Sequence, residues 1–233
     1  IASIEATEYN PEECVKTNIG GAENVIDAAL KTGVHDVIAL SSDKACAPLN
    51  LYGATQLVSD KLFVAANNMK GAKDIHFSVV RYGNVMGSKG SVIPLFLKRK
   101  ELGGRSLPIT DKRMTRFIIS NQEVVTAVEF ALEHHLGGEI FVPKTPSYRV
   151  TDLATAIAPN MKHEEIGIRP GEKIYEELIS RAESGNTIEM DGYYAILPSL
   201  TYTGHRALDN YLEHYNAQTV ADGFHSVSYT HLR

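Results

Sequence analysis

The 233-residue sequence has no tryptophan and only two cysteines, Cys14 and Cys46. Two thiols cannot form a disulfide framework and do not have metal-site spacing, so a reducing compartment is expected. The nine histidines include no His-x-x-x-His pair, and no metal centre is expected. Positive charge is also scarce, with 23 Lys+Arg against 28 Asp+Glu and a net charge of -5. No basic tract is dense enough for a nucleic-acid surface, and Lys98-Arg99-Lys100 reads as the solvated side of a helix. Long apolar runs are missing too. Val37-Ile38-Ala39-Leu40 is far too short to span a bilayer, so no membrane partner is expected and the cytoplasm is the expected location. What remains is 43% hydrophobic and 22% charged residues at a mean hydropathy of -0.15, enough apolar surface to exclude a disordered chain.

The chain starts at Ile1 and shows no signal peptide. Its last residues, Val227-Ser228-Tyr229-Thr230-His231-Leu232-Arg233, match the translation of gtc-tct-tat-aca-cat-ctc-cga, which resembles a transposase-type sequencing adapter. Residues 227–233 are therefore expected to be a non-native tail without information on the fold; a polar, frayed terminus is the simpler account.

Asn10-Pro11-Glu12-Glu13 reads as a helix start. Val15, Ile19, Ala22, Val25, Ile26, Ala29 and Leu30 recur at helical spacing, and the helix is expected to stop near Gly33. Val37–Leu40 and Phe77–Val80 read as strands buried on both faces of a parallel sheet, with a helix over 52–69 between them. Helices are predicted over 92–102, 123–135 and 151–158, the last capped by Thr151, with a helical turn over 174–179. Strands are predicted at 107–109, 139–142 and 193–197. This alternation predicts an α/β fold with a parallel sheet. A soft domain boundary falls near residue 88, and segments around 121–143 return to the first sheet.

Ser41-Ser42-Asp43-Lys44 closes a predicted parallel strand and Tyr52 opens the next helix. Ligands of open α/β sheets bind outside the carboxyl ends of the strands. A hydroxyl, an acid, an amine and a phenol gathered there can form a proton-transfer set. A polar loop, with Asp43 capping a turn and Lys44 in solvent, accounts for the same residues equally well. Cys46 reads as a small loop filler, since no histidine is near it to activate a thiolate. Gly83, Gly87 and Gly90 form a glycine-rich loop without the Lys-Ser/Thr ending of a Walker motif.

The segments Ser41-Ser42-Asp43-Lys44-Ala45, Asn50-Leu51-Tyr52-Gly53-Ala54-Thr55 and Arg81-Tyr82-Gly83-Asn84-Val85 resemble the extended short-chain dehydrogenase/reductases. Within these the sequence is most similar to inverting UDP-N-acetylglucosamine 4,6-dehydratases. The likeness continues through Pro108–Asp111, Arg113–Phe117, Gly138–Pro143 and Arg169–Lys173, covering roughly residues 9 to 226. It implies a Rossmann-like doubly wound sheet, whose first βα units with the glycine-rich dinucleotide loop would lie upstream, and a smaller carboxyl-terminal substrate lobe over 88–226. It further implies NADP, or NAD, as cofactor, UDP-N-acetylglucosamine as substrate, and a homo-oligomer at full length. The chain as written is expected to be inactive without the missing units.

The resemblance assigns catalysis to Asp43, Lys44 and Tyr52. Tyr52 would take the 4-hydroxyl proton, Lys44 the C5 proton, and Asp43 would protonate the departing 6-hydroxyl while hydride moves from C4 to C6. That requires an amine of lowered pKa and a carboxyl of raised pKa. Asn18, Ser41, Ser42, Tyr52, Gln56, Tyr82, Asn84 and Val85 fall at cofactor positions. Ser42, Asn84, Arg113, Arg116, Arg169 and Glu172 fall at substrate positions. For Asn18 a helix-packing amide is an equal account, and for the arginines a solvated surface is the simpler one.

One position departs from the pattern. The family has Tyr-x-x-x-Lys, and this sequence has Gln56. Residues four apart share a helix face, where a lysine lowers the phenol pKa from about 10. Lys61 cannot substitute, because nine steps of about 100° place it opposite Tyr52. A one-base sequence error, a weakened enzyme and a non-catalytic paralogue each account for Gln56. The functional alternatives to the dehydratase are therefore a UDP-sugar 4-epimerase and a non-catalytic nucleotide-sugar-binding protein.

Overall fold

The computed structural model describes residues 1–199 and 208–232. Residues 200–207 of the expected second lobe and Arg233 of the expected tail lie outside the described residues. The helices are α1 (Ile4–Tyr9), α2 (Pro11–Val15), α3 (Gly21–Lys31), α4 (Leu51–Ala66), α5 (Val92–Glu101), α6 (Asn121–His134), α7 (Val150–Ile157) and α8 (Leu208–Tyr215). The strands are β1 (Asp36–Ser42), β2 (His76–Tyr82), β3 (Asn84–Val85), β4 (Ser106–Ile109), β5 (Thr115–Ile119), β6 (Ile140–Pro143), β7 (Ser147–Arg149), β8 (Lys162–Glu165), β9 (Glu177–Ile179), β10 (Thr187–Met190), β11 (Tyr193–Ile196), β12 (Gln218–Thr219) and β13 (Ser226–Val227).

The chain adopts the expected α/β architecture. A six-stranded sheet runs β1-β2-β6-β11-β10-β12, parallel over the first three strands and antiparallel over the rest. Helices cover both faces, each through an apolar stripe. Ala22, Ile26 and Ala29 of α3 and Phe63 and Ala66 of α4 pack with Phe77, Val79, Ile140 and Val142. Ala127 and Ala131 of α6 and Tyr211 of α8 pack with Val80, Phe141 and Ile188 on the opposite face. A separate core of Phe96, Leu107, Ile109, Met114, Val150 and Ala154 lies beneath α5 and α7. Gly83 leads from β2 into the smaller sheet β3-β5-β7. A Cβ there would stand 2.4 Å from that of Phe117, so only glycine permits this approach.

Four details differ from the sequence reading. Val37–Leu40, patterned for burial on both faces, lies in β1 at the sheet edge, and Leu40 is 51% exposed. Helix α7 begins one residue early, at Val150, with Arg149 as its cap instead of Thr151. The predicted helical turn over 174–179 contains strand β9 instead. Leu178 and Ile179 are buried there, and β9 pairs with β13, a long-range partner that overrides the local pattern. The tail is packed as well. Val227 pairs with Glu177, and Ser228 is fully buried because its small hydroxyl fits between Thr115 and the Glu176 amide. Leu232 bridges to Ser147.

Candidate active site

The chain reverses at the end of β1 to bring an ion pair against the start of α4. Ser42 caps a single 3-10 turn over Asp43–Ala45, its hydroxyl accepting the Lys44 N–H at 3.3 Å. Asn50 caps α4 by accepting the Gly53 N–H at 2.8 Å, and its amide also donates to the Gly171 carbonyl at 2.8 Å. A Cβ on Gly53 would lie 2.1 Å from the Lys44 carbonyl oxygen. Glycine at this position is what lets the first helical turn, and Tyr52 with it, close onto the Asp43-Lys44 turn.

Asp43 is fully buried. Its Oδ1 accepts from Lys44 Nζ at 2.9 Å and from the Ser42 hydroxyl at 2.9 Å, while Oδ2 is buried without a partner. Glu176 joins from the chain just before β9. Its Oε1 lies 3.9 Å from Lys44 Nζ and 3.9 Å from Arg116 Nε, and its Oε2 is also buried and unpartnered. Two carboxyls therefore face one ammonium. Burial alone would lower Lys44, but the charges of Asp43 and Glu176 outweigh it and hold the amine above its ordinary value. This corrects the expected lowered amine: adjacent carboxylates stabilise the cation. Burial, reinforced by the Asp43 charge, raises Glu176.

The phenols respond to the same surroundings. Burial raises Tyr52, against a hydrogen bond with Ser42 and the nearby Lys44 charge. With glutamine at 56, half-buried one helical turn on, no cation stands at that position to offset burial. Tyr82, at the end of β2, is raised by burial and by its proximity to Tyr52. Tyr148 of β7 is raised by burial, opposed by Arg116 and Lys44.

The remaining predicted residues are placed in different surroundings. Asn84 and Val85 lie half-buried in β3, directly beyond β2, and Asn84 Oδ1 is buried without a partner. Ser41 points away from Asp43, donating to Asp60 Oδ2 at 2.9 Å within a buried Asp60–Arg81–Glu183 network. Asn18 ties the first helices to α4, donating to Thr55 Oγ1 at 3.0 Å. Arg116 sits at the cluster, with its guanidinium donating to the carbonyls of Thr115, Lys173 and Ile174. Arg113 and Arg169 are exposed: the first is paired with Asp111 at 2.7 Å, and the second lies 3.9 Å from Glu172. The Cys46 thiol is pushed up to about 12 by burial, which fits a filler and not a nucleophile.

Sequence reasoning missed Glu176, Tyr148 and Glu183. Glu176 and Glu177 are adjacent acids. Strand alternation beginning at 177 would have been the only hint that one of them faces inward.

Residues 2–198 match the family described as polysaccharide biosynthesis protein. The chain is 58% identical over 199 residues to a protein named UDP-N-acetylglucosamine 4,6-dehydratase (inverting) from Campylobacter jejuni, covering 85% of this chain and 60% of the relative. It is 40% identical over 200 residues to a UDP-glucose 4-epimerase from Rickettsia canadensis, covering 84% of this chain and 58% of that protein. The X-ray structure of Pen from Bacillus thuringiensis matches with a TM-score of 0.87 at 35% identity, over 100% of this chain and 70% of that one. The chain thus spans about 60% of the length of the curated relatives it matches. On the family match and this likeness together, the chain belongs to the polysaccharide biosynthesis protein family.

Proposed function

We propose that this chain carries the chemical centre of an inverting UDP-N-acetylglucosamine 4,6-dehydratase, forming a UDP-4-keto-6-deoxy-N-acetylhexosamine. The observation that carries the reading is the 2.9 Å Lys44–Asp43 contact beside Tyr52, with the second Asp43 oxygen buried and unpartnered. Dehydration needs a base at C5 and an acid at the C6 hydroxyl. One proton moved along that contact turns an ammonium–carboxylate pair into an amine and a carboxylic acid, supplying both. A buried ion pair is costly to maintain, which favours the neutral pair once a sugar excludes the remaining water.

Asn84 Oδ1 is an unpartnered buried acceptor just beyond Tyr82, and it fits an amide or hydroxyl donor of a nicotinamide nucleotide. NADP or NAD would supply hydride removal from C4 and hydride return to C6. Tyr52, as its phenolate with Lys44 the nearby cation, takes the 4-hydroxyl proton, and Ser42 hydrogen-bonds O4. Lys44 takes the C5 proton from the 4-ketone, and Asp43 protonates the 6-hydroxyl, which leaves as water. A proton delivered from water to C5 on the opposite face inverts that centre, and the proton held by Tyr52 returns to solvent. Arg113, Arg169 and Glu172 bound the UDP side, and Arg116 shapes it through the 173–174 backbone that it holds. The work is assigned to the cytoplasm and to a homo-oligomer, with the product feeding pseudaminic acid or related glycans.

A 4-epimerase is the second reading, favoured by the 40% identical relatives of that name. It needs Tyr52 but neither a C5 base nor a C6 acid. The test extends the chain to the length of its Campylobacter relatives and supplies UDP-N-acetylglucosamine with NADP. The expected product is lighter by one water, and Lys44→Ala lowers its formation about 10³-fold. Formation of the C4 epimer alone would establish the epimerase. UDP binding without turnover, unchanged by Gln56→Lys, would establish a non-catalytic protein.

A further inference from the structure

Glu176 was not singled out by any motif, yet it is the third ionisable side chain at the Lys44 ammonium. The residue is 3% exposed. Its backbone is fixed, with the N–H donating to Ser228 Oγ at 3.0 Å and the carbonyl accepting the Ser228 N–H at 2.8 Å. Its side chain is not fixed in the same way. Oε1 is 3.9 Å from each of two cations, beyond hydrogen-bond length, and Oε2 has no partner. Leaving a buried carboxylate short of donors costs free energy that protonation removes.

The groups that face it are few. Asp43 and Lys44 come from the turn after β1, Arg116 from β5, and Lys173 from Glu176's own loop. Ser228 holds its backbone, and Tyr148 of β7 faces the same Lys44 and Arg116. Arg116 is held by three backbone carbonyls, so it is a fixed charge. Lys44 and Asp43 are the groups here that change their charge in the dehydration.

We infer that Glu176 is a positioning residue acting through Lys44, its proton occupancy deciding whether Lys44 is held as ammonium or released as amine. The inference rests on the dehydratase reading for its consequence in turnover, but not for the coupling itself. With Glu176 ionised, two carboxylates hold the ammonium. When Glu176 carries a proton, Lys44 keeps only Asp43 as counter-charge, and its own proton can pass along the 2.9 Å contact to Asp43. Glu176 takes its proton from solvent, and the proton leaving Lys44 stays within the cluster on Asp43, so no further reactant is needed.

The first experiment uses the 233-residue chain itself, labelled with 13C in lysine and glutamate, and follows Lys44 and Glu176 by NMR against pH. The expected result in the unsubstituted chain is that the Lys44 signal shifts at the Glu176 midpoint as well as at its own. In Glu176→Gln the Lys44 midpoint falls by about one pH unit or more, as loss of a charge within about 4 to 6 Å requires. Glu176→Asp, which keeps the charge, holds it within a few tenths. A Lys44 signal blind to Glu176, with an unmoved midpoint in Glu176→Gln, would overturn the inference. If Glu176→Gln does not fold, the unsubstituted titration decides alone. In the extended chain, Glu176→Gln moves the rising limb of the pH–kcat profile to lower pH with KM unchanged. Absence of any dehydrated product from the unsubstituted extended chain overturns the dehydratase reading, while the NMR titration still decides the coupling.

Discussion

Two buried glutamates sit at opposite ends of the central sheet, and they are built differently. Glu139, just before β6, is fully buried and accepts four hydrogen bonds. Three come from the Leu136 and Gly137 amides at 3.0 and 2.9 Å and from Ser78 at 2.9 Å. The fourth comes from the Tyr215 hydroxyl at 3.0 Å. Ser78 in turn meets His135, whose other ring nitrogen is 2.9 Å from Asp36. Glu176, at the carboxyl end of the parallel strands, is nearly as buried but has two cations at 3.9 Å and an oxygen with no partner. The first carboxylate is saturated and serves to hold β2, β6 and α8 together. The second is left short of donors, and that shortage lets a proton come and go.

The comparison can be broken at several points. The largest effect is expected at Glu139, where Glu139→Ala strands four donors and costs about 3 to 5 kcal/mol in chemical denaturation. A loss below about 1 kcal/mol would show that the two glutamates are not different in kind. Gly53→Ala comes next. Its added Cβ meets the Lys44 carbonyl, an overpacking expected to cost about 2 kcal/mol and to part Tyr52 from the Asp43-Lys44 turn. Unchanged stability and an unchanged Tyr52 titration would show that the turn yields without cost. The smallest effect is at Glu176 and depends on pH. Its folded-state value is raised, so the stability it confers is complete below its ordinary 4.5 and is lost as pH rises through the folded value. Glu176→Gln removes that loss. Denaturation curves of the two chains should match the parent's acid-side stability and separate in favour of Gln toward neutral pH. Parallel curves across that range would place Glu176 with the structural carboxylates.

Much of the fold was legible because it rests on local periodicity. The stripe from Ala22 to Leu30, the run Phe77–Val80 and the Pro11 start all appear where the pattern put them. What escaped depends on partners distant in sequence. The run Val37–Leu40 looks like any interior strand, and Leu40 is half-exposed because, among the described residues, no strand pairs with the outer edge of β1. Leu178 and Ile179 become a strand because Ser226 and Val227 lie beside them. At the site, the motif located Asp43, Lys44 and Tyr52, but the sign of the Lys44 shift was wrong. Asp43 contributes most to that sign, and Glu176, 132 positions away, adds a second carboxylate that no spacing encodes.

Among the described residues, the outer edge of β1 hydrogen-bonds to no other strand. The outward-pointing N–H and C=O groups of this seven-residue strand, with Leu40 exposed beside them, form a ready template for strand addition. A chain expressed in this form will recruit extended polypeptide, its own copies included, along that edge. Its solubility will then be set by concentration and not by thermal stability. A charged residue in place of Leu40 will keep the same fold in solution longer than any substitution that strengthens its core.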